Sequence, residues 1–427
     1  MELKTRLDHD RYFWITPDLD QSDAAAALVE ITAPSVDTEQ KRGATHLVVA
    51  LDRSGSMGGA EIEHARRALC DIVDQLGPAD SFGLVSFDDR VELTVPAAPV
   101  ADREVIKRAI RSVDARGMTD LGGGLLKALE EAKRLGVPEG VRVLLISDGH
   151  ANQGITDAQV LAGYVSKQLD RRISTSSLGL GLGYDPLLLT AISRAGGGNE
   201  HFAEDADTAA GQIGQECGEL LGQRFLSGRL TVQLGTGATQ IDVLNELTTQ
   251  LTPDGLQIDL GGFQSDETKS LVIQFVPRTA TKPGRRKLAT LTFDYLSTQD
   301  LSERTVRHTL WAQIASPYDS PAAPRRDVLA EVLWQEIQRR KRRGMRALSR
   351  GDVQRGRHHI TRAIEKIKRS WNDIPLERRA EFEAEIELLG AMEQRVVVEG
   401  VAGSAFAARA MSSDVHMKSR RSGRRGA

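Results

Sequence analysis

The stretch "THLVVALDRSGSMGGAEIEHARRALCDIVDQLG", residues 45–77, decides the fold. "THLVVALD" (45–52) is a short, nearly continuous apolar run ending in a carboxylate, the pattern of a strand buried on both faces. Ile62, Ala65, Leu69, Ile72, Val73 and Leu76 then fall on one stripe of a helix, which Gly77-Pro78 stops. A strand, a tight turn and an amphipathic helix make the opening unit of an α/β sheet.

The following sequence repeats that unit. "SFGLVSF" (81–87), "VRVLLIS" (141–147) and "ISTSSLGLG" (173–181) read as strands, with "EHFA" (200–203) a candidate edge. "DREVIKRAIRSV" (102–113), "GGLLKALEEAKRLG" (123–136), "DAQVLAGYVSKQLDRR" (157–172), "DPLLLTAISRAGGG" (185–198) and "ADTAAGQIGQECGELLGQ" (206–223) read as helices. The alternation predicts an α/β domain over 44–223, with a doubly wound, mostly parallel, Rossmann-like sheet. Such a sheet places ligands beyond the carboxyl ends of its strands.

Beyond Phe225 the period becomes two. "RLTVQL", "QIDVL", "GLQIDL", "SLVIQFVP", "LATLTFDYL" and "RHTLWAQIA" predict an antiparallel β-sandwich over 224–316. The strand "AAAALVEITAP" (24–34), in the segment 1–43, has no place in the α/β unit. It is expected to pair with the sandwich, which makes the α/β domain an insertion. A Pro-rich linker leads to a helical segment over 317–398. Residues 399–427 turn small and polar, then basic, and are expected to be a disordered tail.

At 427 residues the chain exceeds one ordinary core, and its net charge of −3 calls for neither nucleic acid nor an acidic surface as partner. Charge is uneven, with basic residues in excess from Arg325 to Arg369. The run Arg339–Arg343 is suited to phosphate but reads first as a solvated helix face, and no interleaved aromatics support nucleic-acid stacking. Cys70 and Cys217 read as buried thiols in helices. No apolar run approaches a membrane span and the first residues are too polar for a signal peptide, so a cytoplasmic protein is expected.

The chemistry gathers at the strand ends. The first strand gives Asp52, Ser54 and Ser56; the loop "DARGMTDLGGG" gives Thr119 and Asp120; the strand "VRVLLISDG" gives Asp148. In a parallel sheet these loops open on one crevice. Carboxylates with hydroxyls make an oxygen-only shell for a hard divalent cation, and no soft ligand cluster favours zinc. Either serine could instead cap the helix that begins near Gly59.

"DRSGSM", then Thr119 in "GMTD", then "SDG" at 147–149 resembles the von Willebrand factor A (VWA) domain with its metal-ion-dependent adhesion site. The resemblance covers residues 44–223. It implies that Asp52, Ser54, Ser56, Thr119 and Asp148 hold Mg²⁺, with Mn²⁺ or Ca²⁺ as alternatives. It implies that the serines and, in the open state, Thr119 bind directly while the aspartates act partly through water. The open coordination position would take a Glu or Asp of a partner protein, and the helix at 206–223 would shift as coordination changes. The flanking strands and the helical segment also resemble bacterial proteins that combine an inter-alpha-inhibitor-like arrangement with such helices.

The function expected is therefore a non-catalytic, metal-dependent adaptor or scaffold, with Arg53, Met57, Asp120 and His150 as its partner-binding rim. Two alternatives stand beside it. One is a subunit of an assembly whose ATPase is another chain, since no P-loop occurs. The other is a metal-assisted hydrolase, for which only His150 and Asp120 offer a base.

Overall fold

The computed structural model describes residues 1–13, 24–35, 43–148, 151–180, 185–203, 212, 223–280, 282–297, 302–316, 318–320, 322–420 and 422–424. His150, Cys217 and nearly all of the helix expected over 206–223 lie outside these residues.

Two antiparallel strands open the chain, β1 (Glu2–Leu7) and β2 (Ala25–Thr32). The α/β domain follows as β3 (His46–Asp52), α1 (Ala60–Gln75), β4 (Ser81–Phe87), β5 (Val91–Pro99), α2 (Arg103–Arg111), α3 (Leu121–Leu135), β6 (Val141–Ser147), α4 (Ala158–Ser166), β7 (Ile173–Leu180), α5 (Pro186–Ala195) and β8 (Gly197–Ala203). Its sheet runs β5-β4-β3-β6-β7-β8, parallel except for β5. Along β3, Leu47, Val49 and Leu51 join the core under α1 and α2, while Val48 and Ala50 join the core under α3, α4 and α5. Both faces are covered, which is why the strand reads as one apolar run. Burying each Val or Leu contributes about 1.5–3 kcal/mol, so β3 anchors whatever is mounted at its end.

The chain leaves β3 for β4 on one side and returns to β6 on the other. That reversal opens a crevice at the carboxyl ends of β3 and β6. Residues 91–99, not anticipated as a strand, form the antiparallel edge β5. Pro96 and Pro99 are tolerated there because an edge has one side free of ladder bonds.

The later strands are β9 (Gln223–Leu234), β10 (Ala238–Val243), β11 (Thr249–Thr252), β12 (Gly255–Gln264), β13 (Glu267–Pro277), β14 (Gly284–Ser297) and β15 (Glu303–Ile314). They form two sheets, β1-β2-β13-β10 and β11-β12-β9-β14-β15. Val29, Ile31, Ile273 and Phe275 of the first meet Leu230, Val232, Leu291 and Phe293 of the second in one core. β2 lies between β1 and β13, with Val29 opposite Leu271, so the α/β domain is inserted between strands of this sandwich.

Three helices complete the chain: α6 (Arg326–Ser349), α7 (Val353–Arg369) and α8 (Leu376–Arg420). Two expectations fail here. The tail over 399–427 is not disordered as far as Arg420: it continues α8 beyond a break at Gly400, whose φ is 59°. The second arm folds back along the first, with Lys418 at 2.5 Å from Glu385. Ala407, Ala408 and Met411 are buried in the helical core. Small residues here serve close helix packing, which composition alone cannot distinguish from disorder. The strand β16 (Ser422–Arg424) then pairs with β13.

The basic run is likewise not wholly a solvated face, although Arg343 is exposed. Lys341 is fully buried and pairs with Glu385 at 2.6 Å and with Asp414. Arg339 and Arg342 turn toward Asp242 and Glu246 of the sandwich.

Candidate metal centre

Asp52 ends β3 and is fully buried. One carboxylate oxygen accepts the Ser54 N–H at 2.8 Å, and the other accepts the Ser147 hydroxyl at 2.5 Å. The ends of β3 and β6 are thereby tied. The chain then enters a short 3-10 turn, Gly55–Met57, and Gly59 at φ 95° supplies the left-handed residue that starts α1. Within that turn the Ser54 and Ser56 hydroxyl oxygens lie 3.2 Å apart, and the Ser56 hydroxyl donates to Asp148 at 2.9 Å.

Neither serine caps a helix. The side chain of Ser54 makes no capping bond to the 3-10 turn, and α1 begins at Gly59 without a side-chain cap. The ordinary reason for serines after a strand is therefore absent. Instead the Ser54 hydroxyl lies 3.2 Å from that of Ser56, which lies 2.9 Å from an Asp148 oxygen. An octahedron with metal–oxygen bonds of about 2.1 Å has edges of about 3.0 Å, so the donor set fits a hard divalent cation in type and in spacing.

Thr119 is buried on the loop before α3. Its backbone N–H donates to the Asn152 side chain at 2.9 Å, and its carbonyl accepts the Asn152 and Gln153 N–H groups. Among the described residues its hydroxyl makes no hydrogen bond to the other four. The Gly55 N–H donates to the Gly117 carbonyl at 3.1 Å and brings the two loops together.

Asp88, not singled out in the sequence, holds these loops in place. It is fully buried after β4 and accepts Arg53 at 3.1 Å, Arg116 at 2.8 Å and the Arg90 N–H at 2.7 Å. Its own carbonyl accepts the Asp120 N–H. Burial alone would raise its pKa, but the Arg116 and Arg90 hydrogen bonds and the Arg53 charge outweigh this and hold it below the usual carboxylate range. The doubled aspartate of "SFDD" was the available signal.

The candidate ligands behave oppositely. Burial raises the Asp52 pKa despite hydrogen bonds from Ser147 and Ser54. Burial, aided by the neighbouring Asp52 charge, pushes Asp148 up to about 6. Two buried carboxylates thus share one crevice with hydroxyls and no cation among the described residues, an arrangement that a divalent cation would relieve.

The rim differs from expectation. Arg53 points inward, bound to Asp88 and to Glu92 at 2.7 Å, and Met57 is fully buried in the core under α1. Both alternate with the serines in sequence, and a turn that aims Ser54 and Ser56 at the crevice sends their neighbours the other way. Asp120 caps α3 through the Gly123 N–H at 2.8 Å. Exposed positions beside the hydroxyl residues include Gly55, Gly58, Met118 and Asn152. Met118 and Met57 each adjoin a hydroxyl residue, and only burial tells them apart.

A family model for the von Willebrand factor type A domain matches residues 47–150, the span that carries Asp52, Ser54, Ser56, Asp88, Thr119 and Asp148. This part of the chain is a VWA domain. The uncharacterized protein YfbK of Escherichia coli (strain K12) is 29% identical over 181 residues, covering 42% of this chain and 32% of its own length. Human inter-alpha-trypsin inhibitor heavy chain H4 is 29% identical over 176 residues, covering 38% of this chain and 19% of its own. The chain thus spans about a third or less of these relatives' lengths. A solved structure, von Willebrand factor type A from Catenulispora acidiphila, shares the fold over 96% of both chains, with a TM-score of 0.75 at 16% identity. The VWA domain, its antiparallel sheets and its C-terminal helices therefore recur together. VWA domains usually mediate protein–protein interactions.

Proposed function

We propose that the VWA domain is a divalent-metal-dependent, non-catalytic docking module that grips a Glu or Asp side chain of a partner protein. One observation carries this reading: the Ser54 hydroxyl meets that of Ser56, which donates to Asp148, and neither serine caps a helix. Ser54, Ser56 and Asp148 would hold Mg²⁺ or a similar cation, with Asp52 behind them and Thr119 alongside. When bound, the cation supplies a positive centre with a coordination position for a carboxylate.

The remaining work falls to the chain itself. β3 and β6 fix the ligand-bearing turns, and Asp88 with Arg53 and Arg116 locks three loops so that the hydroxyls need little reordering. Preorganisation of this kind lowers the cost of binding. The exposed Met118 offers the partner an apolar contact beside the carboxylate position. The sandwich and helices then act as a scaffold through which docking reaches other proteins.

Calorimetry with Mn²⁺ tests the site: wild type binds, and Asp52→Ala loses binding while keeping its circular dichroism spectrum. An acidic partner captured in Mg²⁺ should elute with EDTA. Capture that persists in EDTA would sink the proposal.

A further inference from the structure

A second charged feature lies where the three parts of the chain meet. The end of α5, the strands β10 and β11, and the middle of α6 line a half-open cavity of about 410 Å³. Five arginines line it: Arg194, Arg339, Arg342, Arg343 and Arg346. Two are held by carboxylates. Arg339 grips Asp242 through hydrogen bonds of 2.8 and 3.0 Å, and Arg194 reaches Glu246 at 3.3 Å.

The other three are less satisfied. Arg342 lies 3.1 Å from Glu246, close enough for attraction but not aligned for a hydrogen bond. Its Nε and Nη2 atoms are buried and without a hydrogen-bond partner. Burial, with the charges of Arg194, Arg346 and Arg339 against that of Glu246, pushes its pKa down to about 10. Arg343 and Arg346 have no carboxylate partner among the described residues. Five guanidinium groups thus face Asp242 and Glu246, an excess of three positive charges.

Buried donors without acceptors carry a cost of about 1–3 kcal/mol each unless something accepts from them. The planar guanidinium fork matches phosphate oxygens through paired hydrogen bonds. One phosphate monoester carries about two negative charges at most, less than the excess here. Two or three linked phosphoryl groups match it. The cavity has the size of a small-molecule site, and among the described residues no aromatic side chain lines it for bases to stack on. We propose that this cavity binds a small polyphosphate-bearing anion, of the pyrophosphate or triphosphate class, held between the VWA domain, the sandwich and the helices. Occupancy would draw α5, β10 and α6 together and fix their mutual placement.

Calorimetry on the intact chain, in EDTA so that the metal crevice plays no part, tests this with inorganic tripolyphosphate, pyrophosphate and phosphate. Tripolyphosphate should bind most tightly and phosphate least. Arg343→Ala/Arg346→Ala, at two exposed positions that pair with no carboxylate, should weaken tripolyphosphate binding about tenfold or more with an unchanged unfolding temperature. Added salt should weaken binding in wild type. No binding of tripolyphosphate at millimolar concentration, an undiminished affinity in the double variant, or tighter binding of a single-stranded oligonucleotide would each overturn the proposal.

Discussion

The metal crevice and the helical bundle both bury charge, and they do so in opposite ways. In the bundle, Lys341 and Lys418 meet Glu385 and Asp414, with contacts of 2.6 Å for Lys341–Glu385, 2.5 Å for Lys418–Glu385 and 2.8 Å for Lys418–Asp414. The four charges cancel. In the crevice, Asp52 and Asp148 meet hydroxyls and amides, and nothing cancels them among the described residues. The first cluster is complete and holds two arms of α8 against α6. On the proposed reading, a cation from outside would complete the second. Buried charge is therefore structural where its sum is zero and, on the proposed reading, marks a binding site where it is not.

The sharpest way to break this contrast is to unbalance the bundle. Lys341→Met leaves the fully buried Glu385 with one cation fewer, and should cost about 3–5 kcal/mol of stability in denaturant titration. A loss under about 1 kcal/mol would mean that the network carries little. The same kind of change in the crevice should act differently. Asp148→Asn removes a charge that burial already disfavours, so the metal-free protein should be no less stable, while Mn²⁺ affinity falls about 100-fold, or about 2.7 kcal/mol.

Next in size is pH. Asp148 titrates at about 6, so it is mostly ionised at pH 7 and mostly protonated at pH 5. Metal affinity should therefore fall about tenfold over that interval, with proton release on binding. Without metal the sign reverses. The folded pKa lies above the unfolded value of 3.8, so this group stabilises the fold below pH 4 and that contribution is lost as pH rises through about 6. A metal-free protein whose stability climbed across that window would contradict the reading of Asp148. The smallest effect is expected at Gly400, where Ala at φ 59° should cost about 1 kcal/mol by straining the turn that returns Asp414 and Lys418 to Glu385.

The same contrast explains what could be read from sequence. The α/β domain was legible because β3, β4 and β6 are apolar on both faces, and because the candidate ligands lie at or just beyond strand ends, where topology gathers them. β1 was missed because "ELKTRL" is a polar edge strand whose period-two signal is weak. Arg53 and Met57 were misplaced because a turn's side-chain directions depend on backbone angles that residue identity does not reveal. Asp88 and Lys341 were hidden for a different reason. Each is a charged residue whose burial depends on partners distant in sequence: Arg53 and Arg116 for one, Glu385 and Asp414 for the other.

The position of β2 has a consequence for how the chain is made. Val29 pairs with Leu271, a residue synthesised 242 positions later. At a ribosomal pace of about 5–20 residues per second, β2 waits roughly 12–50 seconds for that neighbour. Meanwhile the VWA domain can fold ahead of it. "AAALVEIT" is buried along nearly all its length in the finished protein, so during that wait it is an apolar strand with one open edge. Only β1 is available to cover it, and the polar "ELKTRL" guards the nascent chain against joining another copy of itself.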